Sequence, residues 1–167
     1  ACPILLQYHT SDAFQFQRQR VTFLVSELVE GELLSKFLAR QPGKRIPPFQ
    51  ALHLLHALAT GMESIHHARE YHGDLHPENI IIRRYGISFD LKLLDLSHYG
   101  RAQAADIHDD VCDLVRLFYD AVGGRKHYAR QPPEVKSICR GLKRTLILRQ
   151  FRTAAQMRHF LETLDWS

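Results

Sequence analysis

The feature of the sequence that most constrains the fold is a polar loop that runs directly into an apolar, β-branched segment. This stretch covers residues 72–82, HGDLHPENIII, and carries Asp74 and Asn79 five residues apart. A second short apolar segment over 91–94 ends at Asp95, 21 residues after Asp74. Apolar runs this short are typical of strands rather than helices. We therefore expect two short strands, each with chemically active side chains at one end.

The other apolar residues recur mostly at helical spacing. The pattern predicts helices over 31–41, 48–69, 110–122, 133–147 and 153–164. Two further strands are predicted over 4–8 and 21–26, joined by a hairpin-like loop. The expected fold class is therefore α+β, mainly α, in one domain, because 167 residues are too few for two ordinary domains.

Composition and charge disfavour several kinds of partner and binding site. No apolar run approaches the roughly 18 residues that a membrane helix needs, so no membrane partner is expected. Three cysteines without CxxC spacing indicate neither a disulfide framework nor a zinc site, which favours a reducing, cytoplasmic location. Residues 121–167 hold 10 basic and 3 acidic side chains, but no nucleic-acid-binding module is present, so a nucleic-acid partner is disfavoured. His53 and His56 lack a carboxylate partner at ligand spacing, and no metal site is predicted there.

The polar residues at the strand ends suit phosphoryl transfer. Mg²⁺ prefers oxygen ligands, and an amide oxygen with one carboxylate from separate strand ends can hold it against the phosphates of a nucleotide. A further carboxylate that is not bound to metal can orient and deprotonate an acceptor hydroxyl. We expect Asn79 and Asp95 to be the metal ligands and Asp74 to be the catalytic residue.

With these residues the chain resembles the C-terminal lobe of a eukaryotic-like protein kinase, from about Ile4 to Leu164. HGDLHPEN resembles the HxDxxxxN catalytic loop, and DLS over 95–97 stands in place of DFG. VTFLVSELVEGELL over 21–34 resembles the fifth kinase strand, the hinge and the start of the next helix. The resemblance implies a kinase-like C-terminal lobe with a few short strands and an N-terminal lobe that is largely absent. The single domain, 1–167, would comprise remnant strands and hinge over 1–30 and a helical lobe over 31–167.

The same resemblance implies a nucleotide site. Ser26 would lie at the gatekeeper position, and Glu27 and Val29 would offer backbone groups to adenine. Glu32 would reach toward the ribose, and Ile81 would form the floor under the base. The implied cofactors are ATP and Mg²⁺.

The sequence departs from the kinase pattern at several points. It contains no Gly-rich loop, no phosphate-pairing Lys and no Glu-bearing helix, because it begins at the equivalent of the fourth kinase strand. Gly73 replaces the Arg of regulated kinases, and His76 replaces the usual phosphate-contacting Lys, which assigns His76 to the cofactor site. Only 14 residues separate Asp95 from Asp110, without Ala-Pro-Glu. Asp110 resembles the residue that caps the catalytic-loop backbone, so its implied role is structural.

The preferred interpretation is a minimal ATP- and Mg²⁺-dependent kinase that moves the γ-phosphoryl group to a hydroxyl, with protein Ser/Thr as the preferred acceptor. A small-molecule acceptor, as in aminoglycoside phosphotransferases, stays open because of the His-Gly-Asp sequence and the short segment after Asp95. The competing class is a non-catalytic pseudokinase or binding scaffold. A further alternative is that a second chain, or a missing N-terminal lobe, completes the site.

Overall fold

The structure, a computed structural model, describes residues 3–94 and 101–165. The strands are β1 (Tyr8–Phe16), β2 (Gln19–Ser26), β3 (Glu32–Leu33), β4 (Ile80–Tyr85) and β5 (Ser88–Leu93). The helices are α1 (Leu34–Ala39), α2 (Pro48–His67), α3 (Ala104–Ala121), α4 (Arg125–Tyr128), α5 (Pro133–Cys139), α6 (Arg144–Gln150) and α7 (Ala154–Glu162). The predicted α+β fold, mainly α with a few short strands, is confirmed.

The centre of the helical part is α2. It begins at Pro48, whose fixed φ suits the first turn, and it ends at His67, because Arg69 adopts a left-handed φ of 62°. Its buried positions recur at steps of three and four: Ala51, Leu54, Leu55, Leu58, Ala59, Gly61, Met62 and Ile65. This face packs against α3, α7 and β5, so α2 lies between the other helices and the strands.

The second core helix, α3, begins earlier than the sequence pattern predicts. Gln103 and Asp106 form a capping box, in which the Gln103 N–H donates to the Asp106 carboxylate at 2.8 Å and extends the helix to residue 104. The apolar spacing over 110–122 therefore predicted only the buried part of α3, which includes Val111 and Phe118.

The predicted helix over 133–147 is wrong, because Arg140 adopts a left-handed φ of 49° and separates α5 from α6.

A hairpin of β4 and β5, with β3 paired to β4, follows the predicted short strands. The register pairs Ile80 with Leu93 and Ile81 with Lys92. Ile80 and Leu93 are buried, whereas Ile81 is only partly covered. Because side chains alternate along a strand, Ile81 and Lys92 share the opposite face of this hairpin.

The segment before β1 docks on the helical core instead of forming the predicted strand over 4–8. Leu5 makes an isolated parallel bridge to Leu93, and the Leu93 N–H donates to the Ile4 carbonyl at 2.8 Å. Ile4 packs on α2 at Gly61, where a Cβ would lie 1.7 Å from the Ile4 side chain. Gly61 therefore makes the contact between this segment and α2 sterically possible.

The β1–β2 hairpin forms a separate two-stranded sheet. Its tight turn places Gln17 and Arg18 at φ values of 47° and 64°, the left-handed pair that matches the twist of a two-residue hairpin. The predicted second strand over 21–26 is confirmed within β2, but its partner runs over 8–16. Over the described ranges, no helix is long and apolar enough to cross a membrane.

Candidate active site

The loop over 72–79 connects the helical core to β4 and presents Asp74 at the surface. It ends in a 3-10 turn over Pro77–Asn79, and Ile80 continues directly into the strand. The Asp74 side chain is 66% exposed, whereas His72 and Asn79 at either end are buried. The loop thus anchors its ends in the core and leaves one carboxylate accessible to solvent.

Asp110 on α3 fixes the first end of this loop. Its two carboxylate oxygens accept hydrogen bonds from the backbone N–H groups of His72 and Gly73, both at 2.9 Å. Asp110 is fully buried, so these charge-assisted bonds are formed away from solvent. The structural role that the sequence implied for Asp110 is confirmed.

His66 on α2 adds a third contact to Asp110. Its Nε2 lies 2.9 Å from Asp110 Oδ2, and the side chain is 9% exposed. Within the described part of the chain, the buried Nδ1 of His66 has no hydrogen-bond partner. Sequence periodicity assigned His66 only to a helix, and its contact with Asp110, 44 residues away, depends on the packing of α2 against α3.

His72 connects the loop to the end of β5. Its Nε2 lies 2.7 Å from the Leu94 carbonyl, and its Nδ1 lies 3.3 Å from the Asp74 N–H. A carbonyl can only accept and a backbone N–H can only donate, so these two contacts fit an imidazole that carries its hydrogen on Nε2. The buried ring therefore links the backbone of Asp74 to that of Leu94.

Asn79 closes the other end of the loop. Its side-chain Nδ2 donates to the backbone carbonyl of Asp74 at 2.6 Å. The backbone carbonyl of Asn79 accepts from the Leu94 N–H at 2.7 Å. The side chain is 6% exposed. Because the amide nitrogen is the donor to the loop, the amide oxygen Oδ1 is the atom available to a hard cation.

Asp95, the second predicted metal ligand, lies outside the described residues. Leu94, immediately before it, is fixed by bonds to both His72 and Asn79. Over 3–94 and 101–165, no group of three His, Cys, Asp or Glu side chains converges as a metal site. Of the two predicted ligands, the described Asn79 supplies an amide oxygen, which is a ligand of the type that Mg²⁺ accepts.

Two further polar groups lie beside Asp74. His76 Nδ1 accepts from the Glu78 N–H at 3.2 Å, while its Nε2 lies 3.5 Å from Asp74 Oδ2. On α3, burial raises the pKa of Asp113 to about 6, and the nearby Asp110 carboxylate contributes to the rise. Its carboxylate also interacts with the Leu75 N–H, which opposes that shift. Asp113 was not among the predicted site residues, although it lies one helical turn after Asp110.

A cavity of about 440 Å³ lies between the segment that follows β2 and the β4–β5 hairpin. Glu27, Val29 and Ile81, three of the predicted adenosine contacts, line this cavity together with Lys92. Glu27 is held in place by the Gln7 N–H and by Lys92 Nζ, both 2.9 Å from its Oε1. The Gln7 N–H and then Lys92 keep the pKa of Glu27 below its ordinary value.

The other predicted cofactor residues lie away from the lining of this cavity. Ser26 is exposed at the end of β2, with its hydroxyl 3.3 Å from the Glu27 carbonyl. Glu32 on β3 binds Arg40, whose Nε lies 3.0 and 3.2 Å from the two carboxylate oxygens. His76 contacts Asp74 instead. The structure therefore brings together three of the six predicted cofactor residues around one cavity.

Lys92 was not among the site residues that the sequence predicted. Its place in the cavity follows from the β4–β5 register, which pairs it with Ile81. Counting outward from a turn at Gly86 and Ile87 would have put the two residues on one face. The hairpin register was thus the signal that could have found Lys92.

Comparison with known proteins agrees with this arrangement. The family model described as "Protein kinase domain" matches residues 9–135, which is more than half of the chain. The chain belongs to the protein kinase domain family. The match includes the loop over 72–79 and Asp110, so the kinase resemblance of the sequence is confirmed, as is the fold class that it implied.

Several Ser/Thr kinases are similar to parts of this kinase chain. Serine/threonine-protein kinase pkn2 of Myxococcus xanthus is 43% identical over 72 residues, covering 43% of this chain and 8% of that protein. The stk11 homolog of Dictyostelium discoideum is 27% identical over 124 residues, covering 74% of this chain and 19% of that protein. PknL of Mycobacterium tuberculosis H37Rv is 35% identical over 88 residues, covering 53% and 21%. The aligned part of this chain therefore spans less than a third of each of these relatives.

Proposed function

We propose that the chain is one kinase-like domain, 1–167, that carries out ATP- and Mg²⁺-dependent transfer of a γ-phosphoryl group to a hydroxyl. The observation that carries the proposal is the accessible carboxylate of Asp74 on a loop whose backbone is fixed from both ends. Asp110, on the distant helix α3, fixes one end of the loop, and Asn79, the last residue of the loop, fixes the other end. A rigidly placed and solvent-accessible carboxylate suits proton transfer from an acceptor.

In the proposed reaction Asp74 accepts a hydrogen bond from the acceptor hydroxyl and takes its proton. The hydroxyl oxygen forms a bond to the γ-phosphorus, and the bond from that phosphorus to the β–γ bridging oxygen breaks, so that ADP leaves. His76, whose Nε2 lies 3.5 Å from Asp74 Oδ2, would contact a phosphate oxygen. In this proposal Asp74 orients the acceptor, and His76 offers a nitrogen to the phosphate.

Asn79 and Asp95 are the proposed ligands of Mg²⁺. The amide oxygen of Asn79 fits this role because its nitrogen already donates to the Asp74 carbonyl, which orients the oxygen. Bound Mg²⁺ would neutralise charge on the phosphate oxygens. The Leu94 carbonyl contacts the His72 ring, and the Leu94 N–H donates to the backbone carbonyl of Asn79. These two hydrogen bonds connect Leu94, the residue before Asp95, with Asn79.

The proposed adenosine site is the cavity between residues 27–30 and the β4–β5 hairpin. Its volume of about 440 Å³ falls in the range of small-ligand pockets, and Ile81 supplies an apolar surface for the base. Glu27 and Val29 would offer backbone hydrogen bonds, whereas Ser26, at the end of β2, lies outside the lining of the cavity. Glu32 would have to exchange its bond with Arg40 for one with the ribose.

Protein Ser/Thr is the proposed acceptor because the similar kinases carry that description in their names. A small hydroxyl compound is the alternative acceptor, since Gly73 replaces the Arg of regulated protein kinases. The proposed partners are therefore a protein substrate and, where a second chain completes the site, that chain. The second case predicts a specific activity that rises with protein concentration.

The test measures ATP binding by calorimetry, with and without Mg²⁺, and phosphoryl transfer to a Ser/Thr peptide pool and to an aminoglycoside. We expect Asp74→Asn to reduce transfer at least about 100-fold and to leave ATP affinity within about twofold. Asp95→Ala should remove the Mg²⁺ dependence of ATP binding. Glu70→Gln, which removes an exposed carboxylate just before the loop, is the matched control and should change neither quantity.

A non-catalytic nucleotide-binding module is the second candidate. The pairing of Lys92 with Glu27 at 2.9 Å favours this candidate, because the charge of this lysine is then not free to stabilise a phosphoryl group in transfer. This candidate predicts ATP binding without transfer to either acceptor, and equal ATP affinity in the wild type and Asp74→Asn. Transfer that depends on Asp74 would exclude it.

A further inference from the structure

A second, larger groove lies outside the candidate active site. It runs between the loop that joins α1 to α2 and the segment after α3, and it has a volume of about 720 Å³. The Ile46 N–H donates to the Ala121 carbonyl at 2.9 Å and so ties the two walls together. Buried Gln131 donates to the Val122 carbonyl at 2.9 Å and holds the wall after α3 in place. The groove is therefore part of the packed fold.

Three basic side chains converge on this groove: Arg45, His127 and Arg130. Across residues 3–94 and 101–165, neither Arg45 nor Arg130 forms an ion pair with a carboxylate. Asp120, close to the groove in sequence, pairs with Arg116 at 3.4 Å. The described walls thus hold a concentration of positive charge that no described carboxylate neutralises.

The backbone brings two of these side chains to one point. At Gly123, with a φ of +113°, a Cβ would lie 2.6 Å from the His127 ring and 3.0 Å from Arg45 Cδ. Only a glycine leaves this space open. Burial lowers the pKa of His127, and the positive charges of Arg45, Lys126 and Arg130 lower it further. Like charges gathered in this way repel one another until an anion binds between them.

We propose that this groove binds a phosphorylated Ser or Thr side chain of a peptide. Arginine clusters bind phosphate through several charge-assisted hydrogen bonds, and Arg45 and Arg130 supply the planar donors for them. The volume exceeds what a phosphate group alone would fill and lies in the range for an organic ligand. Pro42 and Pro47, which are exposed, offer apolar surface to the remainder of the peptide.

The lining favours a peptide over a nucleotide. Four prolines line the groove, Pro42, Pro47, Pro48 and Pro132. Among the described lining residues, His127 carries the only aromatic ring, on which a base could stack. Extended peptides dock on surfaces of this type, whereas nucleotide bases prefer aromatic platforms. The groove shares no lining residue with the cavity at residues 27–30, so the inference does not rest on the proposed phosphoryl transfer.

The test is fluorescence anisotropy with a labelled peptide pool that carries one phosphoserine flanked by random residues, and a matched pool with serine. No ATP is present, so failure of the proposed catalytic function would leave the result unaffected. We expect saturable binding of the phosphoserine pool, at least about tenfold tighter than the serine pool. The double variant Arg45→Gln/Arg130→Gln should weaken that binding at least about tenfold.

Arg125→Gln is the matched control, because Arg125 is an exposed cation on α4 that does not line the groove. It should leave the affinity within about twofold. Equal binding of both pools, or equal losses in the control and the double variant, would overturn the inference. Inorganic phosphate that competes as well as the phosphopeptide at equal concentration would also overturn it, since the groove would then select an ion rather than a peptide. Circular dichroism spectra establish that the variants are folded.

Discussion

The helical part of the chain and the β1–β2 hairpin bury their apolar side chains to very different extents. On α2 and α3, Leu54, Leu58 and Phe118 are each 1% exposed. On the hairpin, Phe14 is 50% exposed and Phe16 is 58% exposed. None of the hairpin side chains that the structure describes is buried. The core that the structure describes thus includes none of the described hairpin side chains.

The contrast has a physical basis. An isolated two-stranded hairpin is marginally stable in water, because it has no third strand or helix against which to bury a face. In the described chain β1 and β2 pair with each other and belong to no larger sheet. The loop over 72–79, by contrast, is fixed to buried groups on α3 and at the end of β5. The difference indicates that the candidate active site depends on the helical core far more than on the hairpin.

The largest effect is expected from a core truncation. Phe118→Ala should lower the free energy of unfolding by about 3 to 5 kcal/mol, because it removes a fully buried ring and leaves a cavity. Urea unfolding followed by circular dichroism measures this change. A loss below about 1 kcal/mol would mean that the core of α3 is not close-packed, and the contrast with the hairpin would disappear.

The next effect concerns the link between the core and the loop. Asp110→Ala should cost about 3 kcal/mol, because the buried N–H groups of His72 and Gly73 lose their acceptor. Asp109→Ala is the matched control; this neighbouring carboxylate is 58% exposed and pairs with Arg144, so its loss should cost less than about 1 kcal/mol. Equal costs in urea unfolding would contradict a specific role for Asp110.

A smaller effect is expected from the pH dependence of stability. The folded pKa of Asp113 is about 6 and its ordinary value is 3.8, so between these pH values the folded chain holds a proton that the unfolded chain has released. Stability from this group is therefore greatest below about pH 4 and decreases as pH rises through 6. After allowance for its partial exposure to solvent, the decrease should be about 1 kcal/mol.

Asp113→Asn removes this titration. Urea unfolding at pH 4.5 and pH 7 should therefore show that the wild type loses about 1 kcal/mol more than the variant over this interval. Other carboxylates with lowered pKa values, such as Glu63 and Glu162, act in the opposite direction in both proteins, and so cancel in the difference. Parallel profiles would show that Asp113 titrates normally.

The smallest effect is expected in the hairpin. Phe16→Ala should change the free energy of unfolding by less than about 0.5 kcal/mol, because the ring is mostly exposed. This variant is the matched partner of Phe118→Ala, since both remove one phenylalanine ring. A cost approaching that of Phe118→Ala would show that Phe16 is covered in solution, and that the hairpin belongs to the core.

The helices and strands predicted from the sequence are correct where residues close together in the chain decide the local structure. The apolar spacing and Pro48 predicted α2 over 48–69, and the structure has 48–67. The β-branched run after Asn79 predicted β4. The failures occurred where a distant or unusual backbone contact decides the outcome: residues 4–6 pair with Leu93 rather than with β2, and the left-handed Arg140 divides a continuous apolar pattern.

The sequence by itself determined the fold class, the main helices and the loop that carries Asp74 and Asn79, because periodicity and motif spacing act over a few residues. Only the tertiary structure decided which groups meet: Asp110 contacts His72 across 38 residues, and Lys92 contacts Glu27 across 65. It also decided that Arg45 and His127 share one groove. These pairings depend on how α2, α3 and the β4–β5 hairpin pack, and burial of the common core, rather than any local pattern, fixes that packing.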